Sequence, residues 1–153
     1  MKFIAHRGNT AGPDESRENK PDYIDIAITL GFDVEVDVWL VEDYLCLGHD
    51  GPETLIERTF LDTRKDKLWC HAKNLEALEW LVQNNFHCFF HDKDAYVITS
   101  HQIIWAYPGE TITNNTICVM PERVKNYSDQ DLRMSLGICS DFVEMYKKQL
   151  SDV

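Results

Sequence analysis

The alternation of hydrophobic and polar positions predicts a helix followed by a strand early in the chain. In residues 21–30, Ile24, Ala27 and Ile28 recur at helical spacing, a proline stands in the first turn, and a glycine follows the last turn. Residues 33–40 instead alternate with a period of two, with three valines on one face and two acidic residues on the other. This period is typical of a strand that buries one face.

Shorter patterns of the same two kinds continue to the end of the chain. Predicted strands cover residues 2–5, 44–48, 68–73, 86–91, 116–120 and 137–140, and a hairpin is predicted from 95–99 and 103–106. Predicted helices cover residues 74–84, 128–136 and 141–150. The charged run 57–67 is predicted to be a solvated loop. Strands that alternate with helices indicate one α/β domain over residues 1–153, built from βα units.

The charge of the chain narrows its possible partners. A formal net charge of −11 would repel nucleic acid and anionic membrane surfaces, so neither is expected to bind. A small anionic substrate is compatible with this charge only if a metal ion or a local group of cations receives it. The sequence predicts no oligomeric state.

The cysteines and the hydropathy pattern indicate a cytoplasmic protein. The five cysteines form no C-x-x-C pair and lie mostly in apolar, strand-like runs, which favours buried free thiols in a reducing compartment over a zinc site. The first residues form no apolar stretch of signal-peptide length, and no window reaches the roughly 20 apolar residues of a membrane span. No stable membrane association is therefore expected.

Glu35 and Asp37 are the strongest candidates for chemistry. Because strand side chains alternate, both carboxylates point to the same side, with stems about 6.6 Å apart. On a dry face their repulsion would cost on the order of 2–3 kcal/mol, which a divalent cation with oxygen ligands would offset. The alternative is that both lie on the solvated face of a half-exposed strand.

Histidines stand at the ends of two predicted strands, and ligands of α/β folds bind at such ends. His6 and Arg7 follow the first strand, and His49 follows the strand 44–48. Cleavage of a phosphodiester needs a base, an acid, and positive charge near the phosphate oxygens. Two histidines, an arginine and a metal site would supply all of these, although each histidine alone could be structural. His87 and His91 on the strand 86–91 are open to the same two interpretations.

The order of these groups resembles the glycerophosphodiester phosphodiesterase family, and also the related spider-toxin phospholipases. The resemblance rests on Ile4-Ala5-His6-Arg7-Gly8, on Glu18-Asn19, on residues 31–38 around Glu35 and Asp37, and on Gly48-His49-Asp50-Gly51. It is specific over residues 3–51 and weaker beyond, where residues 137–141 resemble the closing strand of the family.

The resemblance implies a role for each matched residue. The implied roles are acid and base for His6 and His49, metal ligands for Glu35 and Asp37, phosphate contacts for Arg7 and Lys73, and orientation of these groups for Glu18. The implied cofactor is one divalent cation, Mg²⁺ or Ca²⁺. The family has a carboxylate two residues before the lysine, where this chain has His71, so His71 is a candidate third ligand. Asp94 or Glu122 could instead supply the missing carboxylate.

The resemblance also implies a fold and a reaction. The family folds as a (β/α)₈ barrel of about 250 residues, so a chain of 153 residues predicts a reduced or partly degenerate (β/α) TIM-type barrel. The predicted activity is metal-dependent hydrolysis of a small, glycerophosphodiester-like phosphodiester. One alternative is a non-catalytic module that binds a phosphate or sugar phosphate on the same barrel. Another is a sugar-phosphate isomerase or aldolase that uses Lys73 or a histidine for proton transfer on a metal-bound carbonyl.

Overall fold

The computed structural model describes residues 1–151 and shows ten strands, five α-helices and one 3-10 helix, Pro121–Arg123. The strands are β1 (Lys2–His6), β2 (Asp33–Val41), β3 (Tyr44–Leu47), β4 (Thr54–Ile56), β5 (Leu68–Ala72), β6 (Cys88–Phe89), β7 (Tyr96–Ile98), β8 (Ile104–Ala106), β9 (Thr116–Val119) and β10 (Gly137–Ser140). The helices are α1 (Pro21–Thr29), α2 (Arg58–Asp62), α3 (Leu75–Gln83), α4 (Asp129–Met134) and α5 (Val143–Ser151). Across residues 1–151, none of the helices is long and apolar enough to cross a membrane.

All ten strands belong to one mixed sheet. Its parallel part runs β6-β5-β2-β1-β10-β9-β8. Two antiparallel pieces extend it: β7 pairs with β8, and the β3–β4 pair is attached to the second half of β2. Because β1, β2 and β5 are neighbours and parallel, their carboxyl ends meet at one edge of the sheet.

The sheet curls until side chains from its two ends touch. Trp105 on β8 lies with its ring centre 5.9 Å from that of Trp69 on β5 and 4.6 Å from that of Phe89 on β6. In the described residues β6 and β7 do not pair as strands, although the Ser100 N–H donates to the carbonyl of Cys88. The molecule is therefore a curled half-barrel.

The prediction of a reduced or partly degenerate (β/α) TIM-type barrel is wrong. Such a barrel alternates each parallel strand with a helix, whereas the described chain is a curled mixed sheet with five short α-helices. No helix separates β6 from β7, β7 from β8, or β8 from β9. The physical reason lies in residues 90–115, where hairpin and turn signals leave no amphipathic stretch long enough to cover the sheet.

Most predicted elements are confirmed, and the charged run is the exception. The hairpin at 95–106 is the antiparallel pair β7–β8, and the alternating segment 33–40 is β2. Residues 57–67, predicted to be a solvated loop, contain α2, whose Leu61 is fully buried. Arg64 holds this segment against α1 through a bidentate ion pair with Asp25, so a charged run here supports packing.

The period of two in β2 separates an apolar core from a polar one. Val34, Val36 and Val38 are fully buried in the cluster that includes residues of α1 and α3. Glu35 and Asp37 point to the concave side of the sheet and are only 2% and 0% exposed. The alternative of a solvated acidic face is therefore wrong.

His87 is a structural histidine at the opposite end of the sheet from the edge formed by the carboxyl strand ends. Its Nε2 lies 2.8 Å from the Thr99 hydroxyl, and its ring stacks on His101 at 4.2 Å. Burial, together with the nearby His101 and Lys2, lowers the pKa of His87 to about 4. It does not line the main cavity, so only the structural interpretation fits.

We expect His87 to make the fold sensitive to acid. Its pKa is lower in the folded chain, about 4, than in the unfolded chain, about 6.5, so the unfolded state binds more protons between these values. Stability from this group is complete above pH 6.5 and falls as pH drops towards 4. In denaturation curves across this range, His87→Gln should lose stability less steeply than the wild type. Parallel losses in both proteins would contradict this prediction.

Candidate active site

The residues matched at the sequence level converge at the carboxyl edge of the sheet. His6 ends β1, Glu35 and Asp37 lie on β2, and His71 lies on β5. Lys73 follows β5, and His49 follows β3. Two adjoining cavities of about 640 and 620 Å³ open here, and both are lined by His6, Arg7 and His49. The structure therefore brings every predicted site residue into one place.

Glu35 and Asp37 form the buried floor of this site, in two different electrostatic states. Burial and the neighbouring Asp37 raise the pKa of the Glu35 carboxyl. Burial alone would also raise the pKa of Asp37, but contacts with His49, His71 and Arg7 hold it well below its usual range. Asp37 Oδ1 is buried and makes no hydrogen bond. A negative charge is therefore unfavourable on Glu35, whereas on Asp37 it is compensated by the neighbouring groups.

His71 joins the two carboxylates in a compact donor group. One donor atom each from Glu35, Asp37 and His71 lies within 4.8 Å of the others. His71 Nδ1 is 3.0 Å from Asp37 Oδ1 and 3.8 Å from Glu35 Oε1. Two carboxylates, an imidazole and an unpartnered buried oxygen fit a divalent cation. Among residues 1–151, neither Asp94 nor Glu122 belongs to such a group, so only His71 occupies the third position.

Arg7 crosses the site and ties its acidic groups together. Its backbone N–H donates to Glu35 Oε2 at 3.2 Å, and its Nε lies 3.1 Å from Asp37 Oδ2. Its Nη1 donates to Glu18 Oε2 at 3.0 Å. Burial alone would lower the pKa of Arg7, but the charges of Glu35, Asp37 and Glu18 raise it. The predicted orienting role of Glu18 agrees with its position beside this guanidinium.

Two buried asparagines support the site and were missed at the sequence level. The Asn9 amide donates to Glu18 Oε1 at 2.8 Å and to Asp141 Oδ1 at 2.9 Å. Asn19 holds Asp37 from two sides: its amide donates to Oδ2, and its Oδ1 accepts the Asp37 N–H, both at 2.9 Å. The only signal for Asn19 was its place next to Glu18 in the matched motif, and Asn9 gave none.

His6 is held by Asp141, which the sequence analysis did not assign to the site. His6 Nδ1 lies 2.7 Å from Asp141 Oδ1, and His6 Nε2 lies 3.9 Å from Glu35 Oε2. Burial alone would lower the pKa of His6, but the hydrogen bond to Asp141 and the charge of Glu35 raise it. Conversely, burial would raise the pKa of Asp141, but His6 and Asn9 lower it. Only the resemblance of residues 137–141 to a closing strand pointed to this position.

Glu122, in the 3-10 helix that follows β9, helps to position Asp141. Its Oε1 accepts hydrogen bonds from the Ser140 hydroxyl at 2.9 Å and from the Asp141 N–H at 3.1 Å. It therefore positions the end of β10, from which Asp141 reaches His6.

His49 lines the same cavities as His6 and contacts Arg7 and Asp37. Its Nδ1 lies 2.6 Å from Arg7 Nη2 and 3.4 Å from Asp37 Oδ2. A guanidinium can only donate, so Nδ1 accepts from Arg7, and the proton of a neutral His49 is on Nε2. By the same reasoning a carboxylate can only accept, so a neutral His6 carries its proton on Nδ1, towards Asp141. The Nε2 of a neutral His6 can therefore accept a proton, whereas the Nε2 of a neutral His49 can donate one.

The turn that carries His49 depends on Gly48. Its φ is 153°, and the Trp39 indole N–H donates to its carbonyl at 2.7 Å. A Cβ at this position would collide with the carbonyl oxygen of Gly51, a backbone atom that cannot move aside without shifting the turn.

We expect Gly48→Ala to lower the free energy of unfolding by about 2–3 kcal/mol, because it adds a clash to an unfavourable φ. Gly51→Ala is the matched control, since a Cβ there meets nothing within 4 Å. Urea denaturation of both variants measures the difference. Equal stability of the two variants would show that the turn is not constrained as described.

Lys73 and a set of aromatic rings complete the cavity. Lys73 Nζ lies 3.6 Å from Asp37 Oδ1, so its charge faces the same centre as that of Arg7. Four aromatic side chains also line this cavity: Trp39, Phe89, Trp105 and Tyr107. His91 also lines this cavity, and its carbonyl accepts a hydrogen bond from His71 Nε2 at 3.1 Å. The cavity thus combines a charged floor with aromatic rings suited to a small organic group.

Comparisons with known proteins add no family assignment. No family model, curated protein or solved structure matches this chain. The resemblance to glycerophosphodiester phosphodiesterases therefore rests on the sequence motifs described above.

Proposed function

We propose that this chain is a divalent-cation-dependent phosphodiesterase that hydrolyses a small, glycerophosphodiester-like substrate. The observation that supports this most strongly is the pair of imidazoles, His6 and His49, on one cavity with opposite proton arrangements at Nε2. The same cavity is lined by the two cationic side chains, Arg7 and Lys73, and by the buried carboxylate of Glu35. Hydrolysis of this kind requires a proton acceptor and a proton donor at the same time.

His6 acts as the base in this proposal. Its Nδ1 proton is engaged by Asp141, which leaves the lone pair of Nε2 facing the cavity. Asp141 and Glu35 stabilise the imidazolium that forms when Nε2 accepts a proton, as the carboxylate does in other aspartate–histidine pairs. The proton comes from a nucleophilic oxygen, which is either water or a hydroxyl of the substrate next to the phosphate.

His49 acts as the acid. Its Nδ1 accepts from Arg7, so its Nε2–H is the group available to protonate the leaving alkoxide. Arg7 therefore has two functions: it orients His49, and its positive charge lies where the non-bridging phosphate oxygens would sit. Lys73 supplies the second positive charge from the other side of Asp37.

Glu35, Asp37 and His71 would hold the cation. A bound divalent cation would supply positive charge to the phosphate oxygens in the transition state. The expectation of Mg²⁺ or Ca²⁺ comes from the family resemblance. The aromatic rings of the cavity would contact the organic part of the substrate.

A non-catalytic binding module is the second candidate, and it is favoured by the replacement of a family carboxylate by His71. Such a module would bind a phosphate or sugar phosphate on the same residues. The third candidate is an isomerase or aldolase in which Lys73 would act as the nucleophile, but the Nζ of Lys73 is engaged with Asp37 Oδ1 at 3.6 Å.

A turnover assay separates these candidates. The folded protein would be freed of metal with EDTA and given bis(4-nitrophenyl) phosphate and glycerophosphodiesters, with Mg²⁺, Ca²⁺ or Mn²⁺ or with none. Cleavage that requires an added cation supports the phosphodiesterase. Cation-dependent binding of a phosphodiester without cleavage would instead identify the binding module.

A further inference from the structure

We infer that the cation site selects a first-row transition-metal cation such as Mn²⁺ or Co²⁺ over Mg²⁺ and Ca²⁺, because its third donor is the imidazole of His71. This inference rests on the cation site of the proposed function. It goes beyond that function by assigning the class of metal from the residues that form the site.

The first step is the chemistry of the three donors. Glu35 and Asp37 offer oxygen, and His71 offers nitrogen, all within 4.8 Å of one another. Mg²⁺ and Ca²⁺ strongly prefer carboxylate, carbonyl and water oxygens, whereas imidazole suits the later first-row transition metals, and affinity for a mixed nitrogen and oxygen site rises from Mn²⁺ to Co²⁺. One nitrogen among three protein donors therefore lowers the affinity for the hard cations and favours Co²⁺ more than Mn²⁺.

The second step is that His71 is already oriented as a ligand. Its Nε2 lies 3.1 Å from the His91 carbonyl, which can only accept, so this nitrogen carries the proton. The opposite nitrogen, Nδ1, then has a free lone pair facing Glu35 and Asp37. The ring stacks on Phe89 at 5.1 Å with an interplanar angle of 8°, which fixes its direction. A backbone carbonyl holding the distal N–H is the usual support of metal-binding histidines.

The third step is an unpartnered oxygen aimed at the same point. Asp37 is 0% exposed, and its Oδ1 makes no hydrogen bond. This oxygen lies 3.0 Å from His71 Nδ1, so two electron-rich atoms face each other inside the protein. A cation between Glu35, Asp37 and His71 would satisfy both atoms at once.

The fourth step concerns charge. Two nearby cations balance the two carboxylates of the donor group. Arg7 Nε lies 3.1 Å from Asp37 Oδ2, and Lys73 Nζ lies 3.6 Å from Asp37 Oδ1. The site therefore has little excess negative charge. Ca²⁺ affinity depends strongly on the number of negatively charged ligands, whereas a nitrogen donor contributes to transition-metal binding without added charge.

The test is metal binding by the full chain after EDTA treatment, measured by calorimetry, with Mn²⁺, Co²⁺, Mg²⁺ and Ca²⁺ compared at one pH. We expect Co²⁺ to bind at least about 10-fold more tightly than Mg²⁺ or Ca²⁺, with Mn²⁺ between them. Pulsed electron paramagnetic resonance of the Mn²⁺ complex should show coupling to one imidazole nitrogen. His71→Glu should abolish this coupling and reverse the order of affinities in favour of Mg²⁺ and Ca²⁺.

His101→Gln is the matched control, because it removes an exposed histidine that does not line the cavity. It should retain both the nitrogen coupling and the order of affinities. Binding of Mg²⁺ by the wild type as tightly as Co²⁺ or more tightly, or Mn²⁺ bound without nitrogen coupling, would overturn the inference. Both of these results come from the wild type, so they decide the question even if His71→Glu fails to fold.

The choice of metal and the phosphodiesterase activity can be tested independently. Cation-dependent cleavage together with preferred binding of Mg²⁺ would overturn the metal assignment and leave the phosphodiesterase intact. Tight, nitrogen-coupled Mn²⁺ binding without cleavage of any phosphodiester would support the metal assignment and count against the phosphodiesterase.

Discussion

His6→Ala and His49→Ala should each lower kcat for phosphodiester cleavage by about 10²–10⁴-fold, the usual contribution of a positioned acid or base. The loss should be of similar size in both variants, because each removes one of the two Nε2 atoms that line the cavity. Steady-state kinetics with a saturating cation measures it. A substrate whose leaving group needs no protonation, such as a nitrophenyl ester, should be much less affected by His49→Ala than by His6→Ala.

His101→Gln serves as the control for these variants, since its ring packs on His87 at the far end of the sheet. It should retain wild-type turnover. Full activity in either His6→Ala or His49→Ala would refute the assignment of acid and base. If His49→Ala caused the same loss with a nitrophenyl leaving group as with one that needs protonation, both histidines would still contribute to turnover. His49 would then not be the acid that protonates the leaving group.

Asp37→Asn and Glu35→Gln should both remove cation-dependent turnover but change stability in opposite directions. Asp37 is ionised and compensated by Arg7 and Lys73, so removing its charge leaves two cations without a partner. Breaking a buried pair in this way should lower the free energy of unfolding by about 3–5 kcal/mol. Glu35 lies in an environment that disfavours its charge, so Glu35→Gln should maintain or raise stability without metal.

The different effects of the two substitutions on stability follow from the opposite pKa shifts of Asp37 and Glu35. Asp37 has a lowered pKa, so its stabilising contribution is present at neutral pH and is lost only in strong acid. Glu35 has a raised pKa, so its ionisation reduces stability as pH rises through that value. Denaturation at pH 7 in EDTA compares the variants. Equal destabilisation by both substitutions would contradict this description of the acidic floor.

The sequence predicted the acidic floor well because strand periodicity determines it directly. In β2 the valines are buried against helices, so the intervening Glu35 and Asp37 had to share the opposite face. His6 was found for a related reason, since it ends β1 at the carboxyl edge of the parallel strands. His49 follows β3, which runs antiparallel to β2 and returns to the level of Asp37, so its place in the site depends on the β2–β3 pairing.

The supporting residues could not be predicted in this way. Asp141 contacts His6 across 135 positions of sequence, and Asn9 contacts Asp141 across 132. Such contacts depend on the neighbouring arrangement of β1 and β10, which no local period reveals. Asn19 lies only 18 positions from Asp37, but its positive φ of 58° and its paired hydrogen bonds are also properties of the folded chain.

The fold was predicted less well than the site. The parallel strands were expected, and seven of the ten run parallel in one continuous stretch of sheet. The expected helices were not present beyond β6, because residues 90–115 form a hairpin and turns. A catalytic arrangement like the one proposed needs only β1, β2, β3, β5 and β10, so it does not require a complete barrel.

The most direct test of the proposed function is ³¹P nuclear magnetic resonance of a glycerophosphodiester incubated with the EDTA-treated protein, before and after a divalent cation is added. We predict that the phosphodiester signal persists without cation and is replaced after its addition by that of a phosphomonoester or a cyclic phosphate. The same mixture with His6→Ala should remain almost unchanged. An unaltered phosphodiester signal with every cation, from a folded wild-type protein, would contradict the account.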